Sequence, residues 1–281
     1  FQPFAVPMVT ARPLRHLSRS HPRQHARRFG HGVNLHSINL HSLNVYSLNL
    51  YSLNLYSLNL YSIHNIPHDT TNHRGNPVIG LFTALGLGYL LGSVPSAELI
   101  ARTQGKTIFE VGSGNMGAMN AARNLGWGAG VAVLALDLAK GALASWLGIV
   151  MVAVSQPDAL WAVTMPLAAG LGAVLGHAAS VYVSFRGGKA LTTALGMSLP
   201  LFPLGGLYSL LLLVSLILLV RKVGIGSSLA ALCFPAVVYT QQYQTGISGD
   251  VRLATAITVT LISTIIIIKH VPDVARELRT K

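Results

Sequence analysis

The sequence predicts an all-α fold, a polytopic membrane bundle of about seven transmembrane or half-membrane helices with cytoplasm-facing polar loops. Three observations predict it. Hydrophobic residues make up 51% of the chain and charged residues only 10%, well under the roughly 25% charge of a soluble domain. The mean hydropathy is +0.53. The apolar residues also fall into several long runs rather than one amphipathic pattern.

Residues 1–76 stand apart as a low-complexity extension before a membrane domain over 77–281. From Arg12 to Arg28 the chain is rich in Arg, His, Ser and Pro and has no acidic residue, as in a transit peptide. A five-residue unit follows six times, from Asn34-Leu35-His36-Ser37-Ile38 to Asn59-Leu60-Tyr61-Ser62-Ile63. A pentapeptide β-helix needs more turns than this to bury a continuous core, so disorder is expected here. The net charge of +12 divides evenly: residues 1–75 hold seven arginines and one aspartate, and the remaining 13 basic and 7 acidic residues follow. With no folded reader element behind the basic stretch, nucleic acid is not expected as a partner.

The apolar runs cover residues 77–101, 128–154, 159–183, 191–199, 202–220, 227–239 and 253–268. Crossing the bilayer takes about 20 helical residues, which the first three reach. Pro200 and Pro203 divide the fourth run from the fifth, each removing a backbone donor. Arg102, Lys106 and Arg123 follow the first run, Arg186 and Lys189 the third, and Arg221 and Lys222 the fifth; Lys269, Arg276, Arg279 and Lys281 follow the last. The other ends carry only Arg74, Asp158, Asp250 and Arg252. The positive-inside rule then places the loops and the C-terminus in the cytoplasm of a cell membrane, provided residues 189–220 cross twice or enter and return.

Three polar stretches interrupt this pattern. The first, residues 110–123, alternates Gly112, Gly114 and Gly117 with Ser113, Asn115 and Asn120 and ends on Arg123. Such glycines let backbone N–H groups converge on an anion, and an arginine can grip it with two parallel bonds. The same residues also fit a flexible loop with a lipid-facing arginine. The second stretch, Phe185-Arg186-Gly187-Gly188-Lys189, opens a helix and so offers free N–H groups and a positive dipole end; it equally fits a stop signal with a glycine hinge. Ala190 after Lys189 breaks the Walker pattern, which excludes an ATPase of that class. The third stretch is His270 with Pro272 and Asp273 at the exit of the last run. Asp137 and Lys140 are three apart on one helical face and read as a structural pair, whereas Glu98 has no evident partner. The lone cysteine, Cys233, sits in an apolar run, so neither a disulfide nor a thiolate metal site is expected, and no cofactor.

These stretches resemble the three signature motifs of the acyl-phosphate:glycerol-3-phosphate acyltransferase family, the PlsY family. Gly112-Ser113-Gly114-Asn115, Gly117, Asn120 and Arg123 match its first motif, G-S-G-N-x-G-x-T-N-x-x-R. Gly92-Ser93-Val94-Pro95, Leu136-Asp137 with Lys140-Gly141, and Gly176-His177 followed by Phe185-Arg186-Gly187-Gly188-Lys189 resemble further parts, over about residues 78–281. The resemblance implies seven helices and acyl transfer from acyl phosphate to glycerol 3-phosphate, giving lysophosphatidic acid for phospholipid synthesis. It implies catalytic roles for Ser113, Arg123, Lys189 and His270. Substrate-binding roles would fall to Gly112, Gly114, Asn115, Gly117, Asn120, Arg186, Gly187, Gly188, Ser227 and Asp273. Partners would be acyl phosphate, glycerol 3-phosphate and membrane lipid, with substrate phosphate taking the proton.

The chain departs from the pattern in places. Met119 stands where the family has Thr, Gly224 where a serine is expected, and Asp273 where the third motif has Asn. A carboxylate near a bound phosphate costs on the order of 1–4 kcal/mol at surface-like dielectric. Reduced activity or an altered donor or acceptor is therefore expected. The alternative from a different class is a non-catalytic or diverged anion or lipid-head binder, or a transporter, on the same scaffold.

Overall fold

The computed structural model describes residues 76–155 and 159–279. The basic N-terminal stretch and the pentapeptide-like repeat lie outside the described residues. Asn76, assigned above to the extension, caps the first helix: its side chain accepts a bond from Val78 N at 3.0 Å, with Pro77 in the first turn.

Every regular element among the described residues is helical. Helix α1 (Pro77–Gly92) and the short α2 (Ser96–Thr103) are separated by Pro95. A loop with one 3₁₀ turn (Ile108–Glu110) leads to α3 (Ala118–Leu125), and then α4 (Trp127–Ser155) and α5 (Ala159–Ala178). A second turn (Val181–Val183) precedes α6 (Leu191–Leu201), α7 (Pro203–Val220), α8 (Val223–Gln244) and α9 (Gly249–Arg279). Six spans are long and apolar enough to cross a membrane, the first running from Pro77 to Thr103, and α6 is a shorter apolar helix. This is the seven-segment pattern with α6 as its half-membrane member. Pro200 sits inside the last turn of α6; the break falls at Phe202, whose backbone leaves the helical region (φ −152°, ψ 69°) ahead of Pro203.

Lipid supplies little hydrophobic drive between helices, so close packing must hold them. Gly88 and Gly92 of α1 lie against the backbone of Ala169 and Ala173, while Gly172 and Gly176 of α5 lie against Leu85 and Tyr89. A Cβ at any of the four would collide with backbone. Gly141 of α4 and Gly196 of α6 interlock in the same way, against Thr193 and Leu138.

The break after α1 frees carbonyls inside the bundle, where each needs a partner. Ser180 Oγ donates to Ser93 O at 2.5 Å, and Lys140 Nζ donates to Val94 O at 3.1 Å. Lys140 also pairs with Asp137 at 2.9 Å. The structural pair is present and does a second job, tying α4 to the α1–α2 break. Glu98, expected to be alone, is buried and accepts from Arg102 Nε, Thr107 Oγ1 and Ile108 N at 2.8, 3.0 and 2.9 Å. It anchors the start of the first polar loop.

Candidate active site

The first polar loop is held from within by one side chain. Asn120 on α3 donates from Nδ2 to Val111 O and Asn115 O (3.1 and 3.0 Å), while its Oδ1 accepts from Ser113 N and Asn124 Nδ2 (3.0 and 2.9 Å). Gly112 (φ +58°) has Asn120 and Asn124 where a Cβ would stand, so glycine is required there on both counts. This alters the expected anion nest. The N–H groups of Ser113 and Gly114 are spent inside the loop, the latter on Val111 O at 3.0 Å. Asn120 is a brace rather than a ligand donor. Ser113, Asn115 and Arg123 remain to face a ligand, and the buried Oδ1 of Asn115 has no hydrogen-bond partner.

The second stretch is anchored at the exit of α5. Gly188 N donates to His177 O at 3.0 Å, and a Cβ on Gly188 would collide with the His177 ring. His177 Nδ1 in turn lies 3.5 Å from Asp137 Oδ1. This packing presents Lys189 just ahead of α6, with Ala190 held at φ +60°. Lys189 pairs with Asp273, which also has Arg276 Nη1 at 3.7 Å. Burial, the largest effect, and the nearby Arg276 pull the Lys189 ammonium below the usual lysine pKa, while Glu277 pushes it up.

The third stretch lies on one face of α9, where His270, Asp273 and Glu277 recur at helical spacing. His270 is 3% exposed, and its Nδ1 stands 2.8 Å from Ile266 O. A carbonyl only accepts, so Nδ1 carries hydrogen, and a neutral ring keeps Nε2 as an acceptor. Glu277 accepts from Gly224 N and Ile225 N at 2.8 and 3.0 Å, capping the first turn of α8. Asp273 Cβ and Glu277 Oε2 would stand 2.8 and 3.0 Å from a Cβ at residue 224. A side chain at 224 would compete for space with the Asp273 Cβ and the Glu277 carboxylate, which accounts for Gly224. Glu277→Gln would offer the two N–H groups one acceptor and one donor. It is expected to destabilise the protein by about 1 kcal/mol, a Tm loss of about 2–4 °C, measured by thermal unfolding in detergent.

All three stretches meet in one cavity of about 970 Å³. Its polar end holds Gly112, Ser113, Asn115, Gly117, Asn120, Arg123, Lys189, His270 and Asp273, joined by Asp137, His177, Arg276 and Glu277. The rest of the lining is mostly apolar and comes from α4, α6, α7, α8 and α9, with Ser227 among it. Met119 stands half exposed at the polar end. Gly114, Gly187 and Gly188 shape the two loops without lining the cavity. Arg186, expected to bind substrate, points elsewhere: its guanidinium lies 3.9 Å over the Phe109 ring and lines a separate cleft with Arg102 and Lys106. The sequence reading missed Asp137, His177, Arg276 and Glu277 as site residues. The helical period from His270 could have found Glu277, and the i,i+3 spacing from Asp273 could have found Arg276.

The sequence model of the family described as glycerol-3-phosphate acyltransferase matches residues 82–280. The chain belongs to the glycerol-3-phosphate acyltransferase family. That match includes every residue lining the cavity. The glycerol-3-phosphate acyltransferase of Chlorobaculum parvum is 38% identical over 164 residues, 56% of this chain and 69% of that one. Glycerol-3-phosphate acyltransferase 1 of Dehalococcoides mccartyi is 36% identical over 202 residues, 70% and 90% of the two chains. The crystal structure of PlsY, an integral membrane glycerol 3-phosphate acyltransferase in its glycerol 3-phosphate form, is similar with a TM-score of 0.57 at 31% identity. It covers 73% of this chain and 92% of that one. A lysophosphatidic acid form of the same enzyme is similar to the same degree, at 30% identity. The glycerol-3-phosphate acyltransferase family thus accounts for the multi-pass helical bundle.

Proposed function

We propose that this chain transfers a fatty acyl group from acyl phosphate to glycerol 3-phosphate, giving lysophosphatidic acid and inorganic phosphate. The observation that carries the reading is one cavity lined both by charged and hydrogen-bonding side chains, Arg123, Lys189 and Arg276 among them, and by apolar residues inside a membrane bundle. A phosphate head with an apolar tail matches both kinds of lining at once. Basic residues around the three stretches favour a cytoplasmic opening.

In this reading Arg123, Ser113 and Asn115 hold one substrate, with Asn115 Oδ1 free to accept from a glycerol hydroxyl. Lys189 and Arg276 hold the other phosphate, Lys189 exchanging Asp273 for it. His270 Nε2 accepts from the neighbouring hydroxyl of glycerol 3-phosphate and so orients the attacking one, whose own proton faces the acyl phosphate. The hydroxyl oxygen forms a bond to the acyl carbon, the bond from that carbon to the phosphate oxygen breaks, and the hydroxyl proton leaves on the departing phosphate. An acyl phosphate is already activated, so positioning and fixed positive charge carry most of the acceleration. The departures at Met119, Gly224 and Asp273 favour a second reading, a phosphate or lipid-head binder without turnover, because Asp273 engages the ammonium that would stabilise the departing phosphate.

Donor identity is tested by offering the purified protein in lipid either palmitoyl phosphate or the palmitoyl thioester of coenzyme A, with labelled glycerol 3-phosphate. Labelled lysophosphatidic acid is expected from palmitoyl phosphate, with one inorganic phosphate released per product. Preference for the thioester would overturn the assigned donor.

A further inference from the structure

The apolar arm of the cavity has a built end. On α8 its lining begins at Val223, and Gly224, Ser227, Ala230, Ala231 and Phe234 follow; these five recur at helical spacing and so form one stripe. The first four are small and leave room; the last is the largest. Phe234 lies ten residues beyond Gly224, a rise of about 15 Å along the helix from the polar end. Its ring is 7% exposed and packs on Phe202, with centroids 6.3 Å apart and planes tilted by 53°. Phe202 is itself buried at the α6–α7 break, where its non-helical backbone ahead of Pro203 holds it. Val238 lies in the same buried cluster, and Gly205 stands where a Cβ would touch Phe202 and Val238. Across the arm, α7 presents Leu210, Leu213 and Ile217. The wall is a packed aromatic pair rather than a free side chain.

Resting on the acyl-transfer reading of the site, we propose that Phe234, backed by Phe202, sets the longest acyl chain this protein accepts efficiently. Each methylene buried above the ring adds to binding. One that reaches the ring meets a close-packed surface that cannot yield without cost. Chain-length preference is thus set by one side chain about three helical turns from the phosphate site.

The test compares a ladder of saturated acyl phosphates, from decanoyl to stearoyl, competing for labelled glycerol 3-phosphate in the purified full-length protein. Phe234→Ala is expected to raise the stearoyl-to-palmitoyl ratio of kcat/KM by about tenfold, the worth of about two buried methylenes. Phe234→Leu supplies the same test, with a smaller shift, should the alanine variant lose monodispersity on gel filtration. Ala230 lines the arm without belonging to the buried core cluster, so Ala230→Leu fills the arm from its side and is expected to favour lauroyl over palmitoyl phosphate. Unchanged ratios in all three variants would overturn the proposal and show that the tail leaves sideways into lipid. A shift in Ala230→Leu alone would also overturn it, placing the chain end short of Phe234. Failure of the parent chain to acylate glycerol 3-phosphate from any donor would sink the site reading and this proposal together, and it is seen in the parent rather than in the variants.

Discussion

Lys189→Ala is expected to lower kcat/KM for acyl transfer by about 10²–10³-fold, the usual loss when one fixed donor to developing charge is removed. Lys189 stands between the glycine turn anchored on His177 and the N-terminus of α6, at the polar end of the cavity. Its ammonium, freed from Asp273, is the charge best placed to meet a phosphate as the acyl bond breaks. The fold should survive the change, because the helices around it are locked by Gly141 and Gly196 rather than by this side chain. Arg276 also remains beside Asp273, at 3.7 Å. Steady-state kinetics separate the contributions: a fall mainly in kcat marks stabilisation of the transition state, and a rise in KM alone marks ground-state binding. Lys189→Arg should recover only part of the rate, since a planar fork does not replace a point charge in a packed turn. Wild-type kinetics in Lys189→Ala would remove this residue from the site.

Asp273→Asn is expected to act in the opposite direction, lowering KM for the phosphate substrate by about tenfold, or about 1.4 kcal/mol. A carboxylate already paired with Lys189 competes with an incoming phosphate and repels it. A full charge at about 4 Å is worth up to about 4 kcal/mol at an effective dielectric near 20; part of this is lost because Asp273 also holds Lys189 in place. Asparagine keeps the shape that packs against Gly224 while removing the charge. The gain should shrink as ionic strength rises, because this end of the cavity is partly open to solvent. Kinetics at two salt concentrations check both points. A higher KM in Asp273→Asn would mean that Asp273 chiefly positions Lys189.

The helical membrane bundle was legible because its signal is additive. Long apolar runs, prolines and the placement of basic residues each point to it independently. The charges and the Pro200–Pro203 break required residues 189–220 either to cross twice or to enter and return, and the length of α6 distinguishes these. The three polar stretches were legible for a different reason: glycines, amides and cations at those spacings have few structural uses. Side-chain direction was not legible. Arg186 and Lys189 are three residues apart and chemically alike, yet only packing shows that one lies over Phe109 and the other faces the cavity. Asn120 looked like a donor to substrate, but both ends of its amide are used within its own loop. Glu277 and Gly224 are far apart in sequence, so the cap on α8 that joins them leaves no local trace. Phe234 was hidden for the same reason, since one more aromatic in an apolar run carries no sign that it ends a cavity.

The most direct test is a time course with the purified protein in lipid, supplied with palmitoyl phosphate and labelled glycerol 3-phosphate. The expected result is labelled lysophosphatidic acid and inorganic phosphate in equal amounts from the parent chain, with product nearly absent from Lys189→Ala. A folded parent protein that binds glycerol 3-phosphate but forms no product would contradict acyl transfer and leave a phosphate binder in its place.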